Sequence, residues 1–313
     1  MSLIIYCDGG LGNRLNSLRG GICLASVIRA PYIILWPINR MCGSSLEDIF
    51  DTKLKTLNIG IDQVLKKYNI KVAITHECSS FVGLPIIDPR DYLTLASLLK
   101  DLGGYAIDVD ENFLYYNSQH PPYTWNQSFC DQNIFLFNRE TIEAGENFLR
   151  THSLQKNKYI ALHLRGTDYG FPPIYFSFWK ALLWIVPFKT ILCTDDLSVA
   201  NKFTGLNNVF WKKSQDLPRK IDEIGSWNKL IVDEYGREFN YNLFRSAESI
   251  KVALIELFLL SCGFRIYSSR STFLYQAYLF DPLLKGNAHK IVEFSYHFMR
   301  ALKRRLLKLI VGS

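Results

Sequence analysis

Four side chains able to do chemistry lie within six residues of one another: His163, Arg165, Thr167 and Asp168, in the run A-L-H-L-R-G-T-D-Y-G from Ala161 to Gly170. An arginine there is a natural clamp. Its guanidinium stays charged at any working pH, and its planar fork can bond two phosphate or carboxylate oxygens at once. Two later clusters carry complementary chemistry. Thr194-Asp195-Asp196 offers carboxylates, and Asp195 could accept from ribose hydroxyls or base N–H groups. Ser268-Ser269-Arg270-Ser271-Thr272, just before a helical pattern, offers hydroxyls and the backbone N–H groups of a helix N-terminus. Near the start, Gly9-Gly10-Leu11-Gly12-Asn13-Arg14 is a glycine loop between a strand and a helix, with Asn13 and Arg14 as donors at its mouth. Leu15 stands where the dinucleotide fingerprint needs its third glycine, so that fingerprint is not completed. Each cluster alone also suits an ordinary strand end or a tight turn. Together they match the needs of a nucleoside diphosphate.

These clusters require elements to aim them. Tyr159–Leu164 is a short apolar run, expected as a buried strand that ends on the first cluster. Thr190–Cys193 reads as a strand ending on the second, where Asp196 would cap a helix over Leu197–Phe203. Phe264–Tyr267 reads as a strand before the third, with a helix over Phe273–Phe280 after it. A helix over Ser246–Gly263 places Ile250, Leu254, Leu257, Phe258 and Ser261 on one face, with Gly263 as its stop. In the first half, a strand over Ser2–Asp8 feeds the glycine loop and a helical pattern through Leu18, Ile22 and Ala25. Ile134–Leu149 reads as a helix, with a linker over 150–157. The stretch 105–132, rich in Tyr, Asn and Pro, is expected to lack regular structure. Its Tyr115-Tyr116-Asn117 would suit sugar stacking or pack as a long surface loop. The fold class is therefore α/β, with two Rossmann-like halves meeting near residue 155. In such sheets ligands sit beyond the carboxyl ends of the strands, where the clusters fall.

With 313 residues, two ordinary domains can each bury a core. No stretch approaches the roughly 18 uninterrupted apolar residues of a membrane span. The seven cysteines contain no C-x-x-C pair, which suits free thiols in a reducing compartment; the expected location is cytoplasmic. Net charge is +7, but Lys285, Lys290, Arg300, Lys303, Arg304, Arg305 and Lys308 stand against the single acid Glu293, so the tail carries nearly all of it. That placement argues against a nucleic-acid partner, whose footprint is a face of the folded body. In the tail, Ile291, Phe294, Phe298, Leu302, Leu306 and Ile310 recur at helical spacing with cations opposite. Such a basic amphipathic helix either packs on its own protein or lies on an anionic membrane surface, here the inner face of the membrane.

The order of the motifs resembles that of the fucosyltransferase superfamily of glycosyltransferases, which includes bacterial α-1,2-fucosyltransferases, α-1,6-fucosyltransferases and protein O-fucosyltransferases. Gly9-Gly10-Leu11-Gly12-Asn13 is similar to the family's N-terminal loop. His163-Leu164-Arg165-Gly166-Thr167-Asp168 is similar to its H-x-R-R-x-D motif, and Thr194-Asp195-Asp196 with Ser268–Thr272 to its later motifs. The resemblance implies a GT-B fold: an acceptor-side domain over 1–155, a nucleotide-sugar donor domain over 156–286, and the basic helix over 287–313. It implies inverting, metal-independent transfer of a sugar, fucose from GDP-fucose, to a glycan hydroxyl, with no cofactor. The expected cytoplasmic location and the basic amphipathic end, rather than the resemblance, suggest as acceptor a lipid-linked precursor of bacterial surface polysaccharide or lipopolysaccharide. Donor-binding residues would be Gly10, Gly12, Asn13, Arg14, His163, Arg165, Asp195, Ser268, Ser269, Arg270, Ser271 and Thr272. Arg165 would stabilise the leaving diphosphate, and Asp168 or Asp8 would serve as base. Two departures stand out. Gly166 replaces the motif's second arginine, so that one phosphate contact is either missing or supplied by Arg14 or Arg270. Phe171-Pro172-Pro173 occupies the place of the glutamate proposed as base in α-1,6 enzymes. Another GDP- or CMP-activated sugar, or a non-catalytic nucleotide- or glycan-binding role, remains open at this point.

Overall fold

The computed structural model describes residues 2–75, 81, 83–89, 95–102, 113–117, 135–164, 173–185, 188–212, 216–227, 229–232, 238–239, 242–263, 265–267 and 272–280. They form two compact units, one ending at Asn138 and one beginning at Arg139.

The first unit contains strands β1 (Ser2–Tyr6), β2 (Tyr32–Leu35), β3 (Phe50–Thr52), β4 (Thr56–Leu57), β5 (Ile70–Thr75), β6 (Ile86–Ile87), β7 (Phe113–Asn117) and β8 (Phe135–Phe137). Its helices are α1 (Leu11–Ile28), α2 (Leu46–Ile49), α3 (Ile61–Lys67) and α4 (Leu95–Leu102). Six strands form a parallel sheet in the order β4-β2-β1-β7-β5-β6, and β3 pairs with β8 antiparallel. Leu3, Ile4 and Ile5 are all fully buried, as expected where a parallel sheet is covered on both faces. α1 packs close: a Cβ on Gly21 would come within 2.6 Å of the Ile5 side chain.

One expectation fails here. The stretch 105–132 contains β7, which lies between β1 and β5 in the interior of the sheet. Tyr115 and Tyr116 are fully buried rather than available to a sugar, and Tyr115 packs against Phe81 with ring centroids 4.5 Å apart. F-L-Y-Y-N is a good strand sequence, since aromatic side chains fit a pleated, buried surface. The tyrosine hydroxyls and the surrounding polar residues disguised it.

The second unit contains β9 (Ile160–His163), β10 (Thr190–Cys193), β11 (Val209–Trp211), β12 (Ile231–Val232), β13 (Glu238–Phe239) and β14 (Arg265–Tyr267). Its helices are α5 (Arg139–Thr151), α6 (Pro173–Ile185), α7 (Leu197–Asn201), α8 (Ala247–Ser261) and α9 (Thr272–Phe280). Four strands form a parallel sheet in the order β11-β10-β9-β14. One face packs Leu162, Leu164 and Leu192 against Phe176, Trp179, Leu183, Val199 and Phe203. α8 covers the other face, with α5 and α9 packed on it in turn.

The expected helix over Ile134–Leu149 is thus β8 followed by α5, and α5 belongs to the second unit. A Cβ on Gly145 of α5 would meet the Phe258 ring of α8 at 2.3 Å, so only glycine permits that approach. The division therefore falls ahead of residue 155. Gly263 acts through the same physics. Its absent side chain leaves room for Ala161, whose Cβ an added Cβ would approach within 2.6 Å. Cys7, Cys23, Cys42 and Cys193 are free and buried. Among the described residues, no helix is long and apolar enough to cross a membrane. The tail helix expected over 287–313 lies outside them.

Candidate functional site

In the second unit β10, β9 and β14 are parallel neighbours, so their carboxyl ends share one edge of the sheet. His163 closes β9 and lies in register with Cys193, the last residue of β10. It is buried, with its ring 5.4 Å from that of Phe273, near the start of α9. Thr272 is the first residue of α9 and is partly buried. Past β10 the chain turns through Thr194-Asp195-Asp196. The Asp196 carboxylate accepts from the Ser198 backbone N–H at 2.7 Å and caps α7. Asp195, between Thr194 and Asp196, is half-buried. Arg165, Asp168, Ser268, Ser269, Arg270 and Ser271 lie outside the described residues.

A residue that the sequence reading passed over stands at the centre of this edge. Glu256, on α8, is buried, and its Oε1 accepts from the Thr194 backbone N–H at 3.2 Å. Desolvation, reinforced by the nearby Asp195 charge, pushes its pKa up to about 8; the Thr194 bond and Lys212 oppose that rise. Lys212 follows β11 on the next strand over, and burial lowers its pKa. A signal for Glu256 was available: it is the one charged residue in the apolar run from Val252 to Leu260. A buried acid is costly unless something makes use of it. The edge thus joins a buried carboxyl, a half-buried carboxylate and a half-buried ammonium. It can accept hydrogen bonds from a ligand's N–H edge and balance charge near it.

In the first unit, the glycine loop leads directly into α1, with Gly10 as its N-cap and no side-chain cap bond. A backbone bond from Arg14 N to Gly10 O closes the first turn of the helix. Gly9 has φ +81°, a conformation that glycine adopts without strain.

Arg14 corrects an expectation. Its side chain is fully buried and points back into the unit. Nε donates to Gly9 O at 2.7 Å, Nη1 to Pro37 O at 2.7 Å, and Nη2 to Asn39 Oδ1 at 2.9 Å and Asp8 Oδ1 at 3.4 Å. The guanidinium also lies 5.2 Å from the Trp36 ring. Arg14 is a strut of the loop and cannot stand in for the missing second arginine. Asp8 is held by the same node. Its Oδ1 also accepts from Gly9 N at 2.7 Å and Asn39 Nδ2 at 3.0 Å, and its side chain is 37% exposed.

The fold matches solved structures. The fucosyltransferase NodZ from Bradyrhizobium aligns with a TM-score of 0.53 over 90% of this chain and 93% of that one, at 16% identity. NodZ α-1,6-fucosyltransferase co-crystallised with GDP aligns at 0.52 over 90% and 92%, with 17% identity. The form soaked with GDP-fucose aligns at 0.51 over 90% and 92%, with 16% identity. At these identities the likeness is one of fold. No protein-family model matches the sequence, and no curated protein matches it.

Proposed function

We propose that this protein is a glycosyltransferase that takes a sugar from a GDP-linked donor, fucose in the first instance, and transfers it to a glycan hydroxyl. The observation that carries this reading is Glu256 beside Thr194 and Asp195 at the carboxyl edge of the second sheet. Guanine presents two adjacent donors, N1–H and N2–H, and a carboxylate accepts both at once. Uracil and cytosine present an acceptor oxygen where guanine has its amino group. NodZ, whose fold this chain resembles, has been co-crystallised with GDP and soaked with GDP-fucose.

The diphosphate would lie against Arg165 and the Ser268–Ser271 turn. Their charge and N–H groups would stabilise the leaving group as the glycosidic bond breaks. Inversion follows if the acceptor oxygen attacks the anomeric carbon from the opposite face while a base takes its proton. Asp168 and Asp8 are the candidate bases. No metal or other cofactor is needed if Arg165 and the backbone carry the charge. The acceptor we propose is a lipid-linked surface-polysaccharide precursor, met by a chain whose basic residues over 287–313 lie on anionic lipid at the inner membrane face.

The test is calorimetric titration with GDP, UDP and CMP. GDP is expected to bind at least tenfold more tightly than the pyrimidine nucleotides, and Glu256→Gln is expected to erase most of that preference. Equal affinity for all three would overturn the reading.

A further inference from the structure

The amino edge of the second sheet, opposite the carboxyl edge described above, carries side chains that the transfer reaction does not use. At the end of α6, Trp184 is 78% exposed and Ile185 is 71% exposed. Three residues on, just before β10, Phe188 is 61% exposed. Single exposed apolar residues are ordinary, but three large ones on one turn and its continuation form a protrusion.

The surroundings of this protrusion are basic. Ile160 N donates to Lys189 O at 2.9 Å, which sets the start of β9, with exposed Lys158 two residues ahead of it, beside the segment that carries Phe188. Lys189 is exposed and donates to Ser153 O at 3.0 Å, which ties the Phe188 segment to the end of α5 and its exposed Arg150. Lys156 lies in the same connection, between α5 and β9. Lys156 is joined to Glu146 at 2.8 Å. Asn207 and Asn208, ahead of β11, add no charge. Asn208 Nδ2 donates to the carbonyls of Leu183 and Phe188 at 2.8 and 3.2 Å and so fixes the protrusion on the sheet.

We propose that this edge is a membrane-contact face, with Trp184, Ile185 and Phe188 entering the interfacial region of an anionic bilayer while Arg150, Lys156, Lys158 and Lys189 face its headgroups. Tryptophan and phenylalanine are the side chains that bind at that depth, and lysines around them gain from a negative surface. The charge decides between occupants. A second copy of this chain would set cation against cation, whereas an anionic lipid surface complements the edge. Because the face is opposite the carboxyl edge of the same sheet, lipid contact leaves the donor site accessible. The proposal is independent of the tail at 287–313 and of the identity of the donor.

The full chain is tested on vesicles of phosphatidylcholine with phosphatidylglycerol, some carrying brominated acyl chains. The expected results are vesicle binding, bromine quenching of tryptophan fluorescence that Trp184→Phe removes without loss of binding, and at least tenfold weaker binding when Trp184, Ile185 and Phe188 are all changed to serine. Failure to bind vesicles, quenching that persists in Trp184→Phe, or a triple-serine variant that binds like the parent would each overturn it. So would sedimentation showing a dimer that the triple variant abolishes in the absence of lipid. These positions are exposed, so the variants are expected to melt at the parent temperature.

Discussion

The side chain of Glu256 reaches from a helix that is apolar on nearly every side to the backbone N–H of Thr194, 3.2 Å away at the end of a neighbouring strand. A buried carboxyl thus joins one helix to one strand end, and its protonation bears on the stability of both.

Glu256 makes stability depend on pH in an unusual direction for an acid. Its folded pKa is raised to about 8, so between the ordinary glutamate range and that value the folded state holds a proton that the unfolded state has lost. Its contribution is full below the ordinary range and is lost as pH rises through about 8. Thermal melts of the ligand-free protein across that window are expected to show a falling Tm, and Glu256→Gln is expected to flatten the slope. A Glu256→Gln profile identical to the parent's would remove Glu256 as the cause.

The same group should couple nucleotide binding to proton release. If the carboxylate accepts from a guanine edge, GDP must displace the proton, and affinity should rise as pH increases toward about 8. Calorimetry in buffers of different ionisation enthalpy reads the released proton directly. The release should vanish in Glu256→Gln.

Arg14 is expected to matter for folding rather than for turnover. Arg14→Ala strips donors from Gly9 O, Pro37 O, Asn39 and Asp8, and should cost about 3 kcal/mol in denaturant titrations. Arg14→Lys should recover little, because an ammonium cannot reproduce the fork. Near-parent stability in either variant would contradict the strut role.

Asn242 staples the excursion between the bridged residues Arg219 and Phe244. It is fully buried. Its Oδ1 accepts from Ile221 N and Asp222 N at 2.9 and 2.7 Å, and its Nδ2 donates to Asp222 O at 2.6 Å. Asn242→Ala should cost roughly 2 kcal/mol or more, from buried groups left unpaired. Limited proteolysis should then cut near residues 221–232 far faster than in the parent.

Arg165→Ala is expected to reduce donor turnover by about a hundredfold or more while the melting temperature is kept, in line with losing a preorganised charge on a leaving group. Turnover of the parent enzyme is expected to persist in EDTA. Abolition by chelation, reversed by manganese, would replace the metal-independent scheme.

Much of the second sheet was legible in the sequence, and the reason is local. Thr190–Cys193 is a short apolar run bounded by polar turns, and it appears with the expected boundaries. Asp196 announces a helix because a carboxylate at that position satisfies an N–H group two residues away. The alternation of strands and helices is enough to specify parallel sheets, and the strand ends are enough to nominate His163 and Asp195. What the tertiary structure decided are environments set by distant residues. Tyr115 and Tyr116 look like loop residues until β1 and β5 flank them. Arg14 looks like an anion clamp until Pro37 and Asn39 close around it. Glu256 reads as a stray acid in an apolar helix until a strand end arrives to meet it. Residue type sets what a side chain can do, but burial and partners, fixed by contacts far apart in the chain, decide which of those things it does.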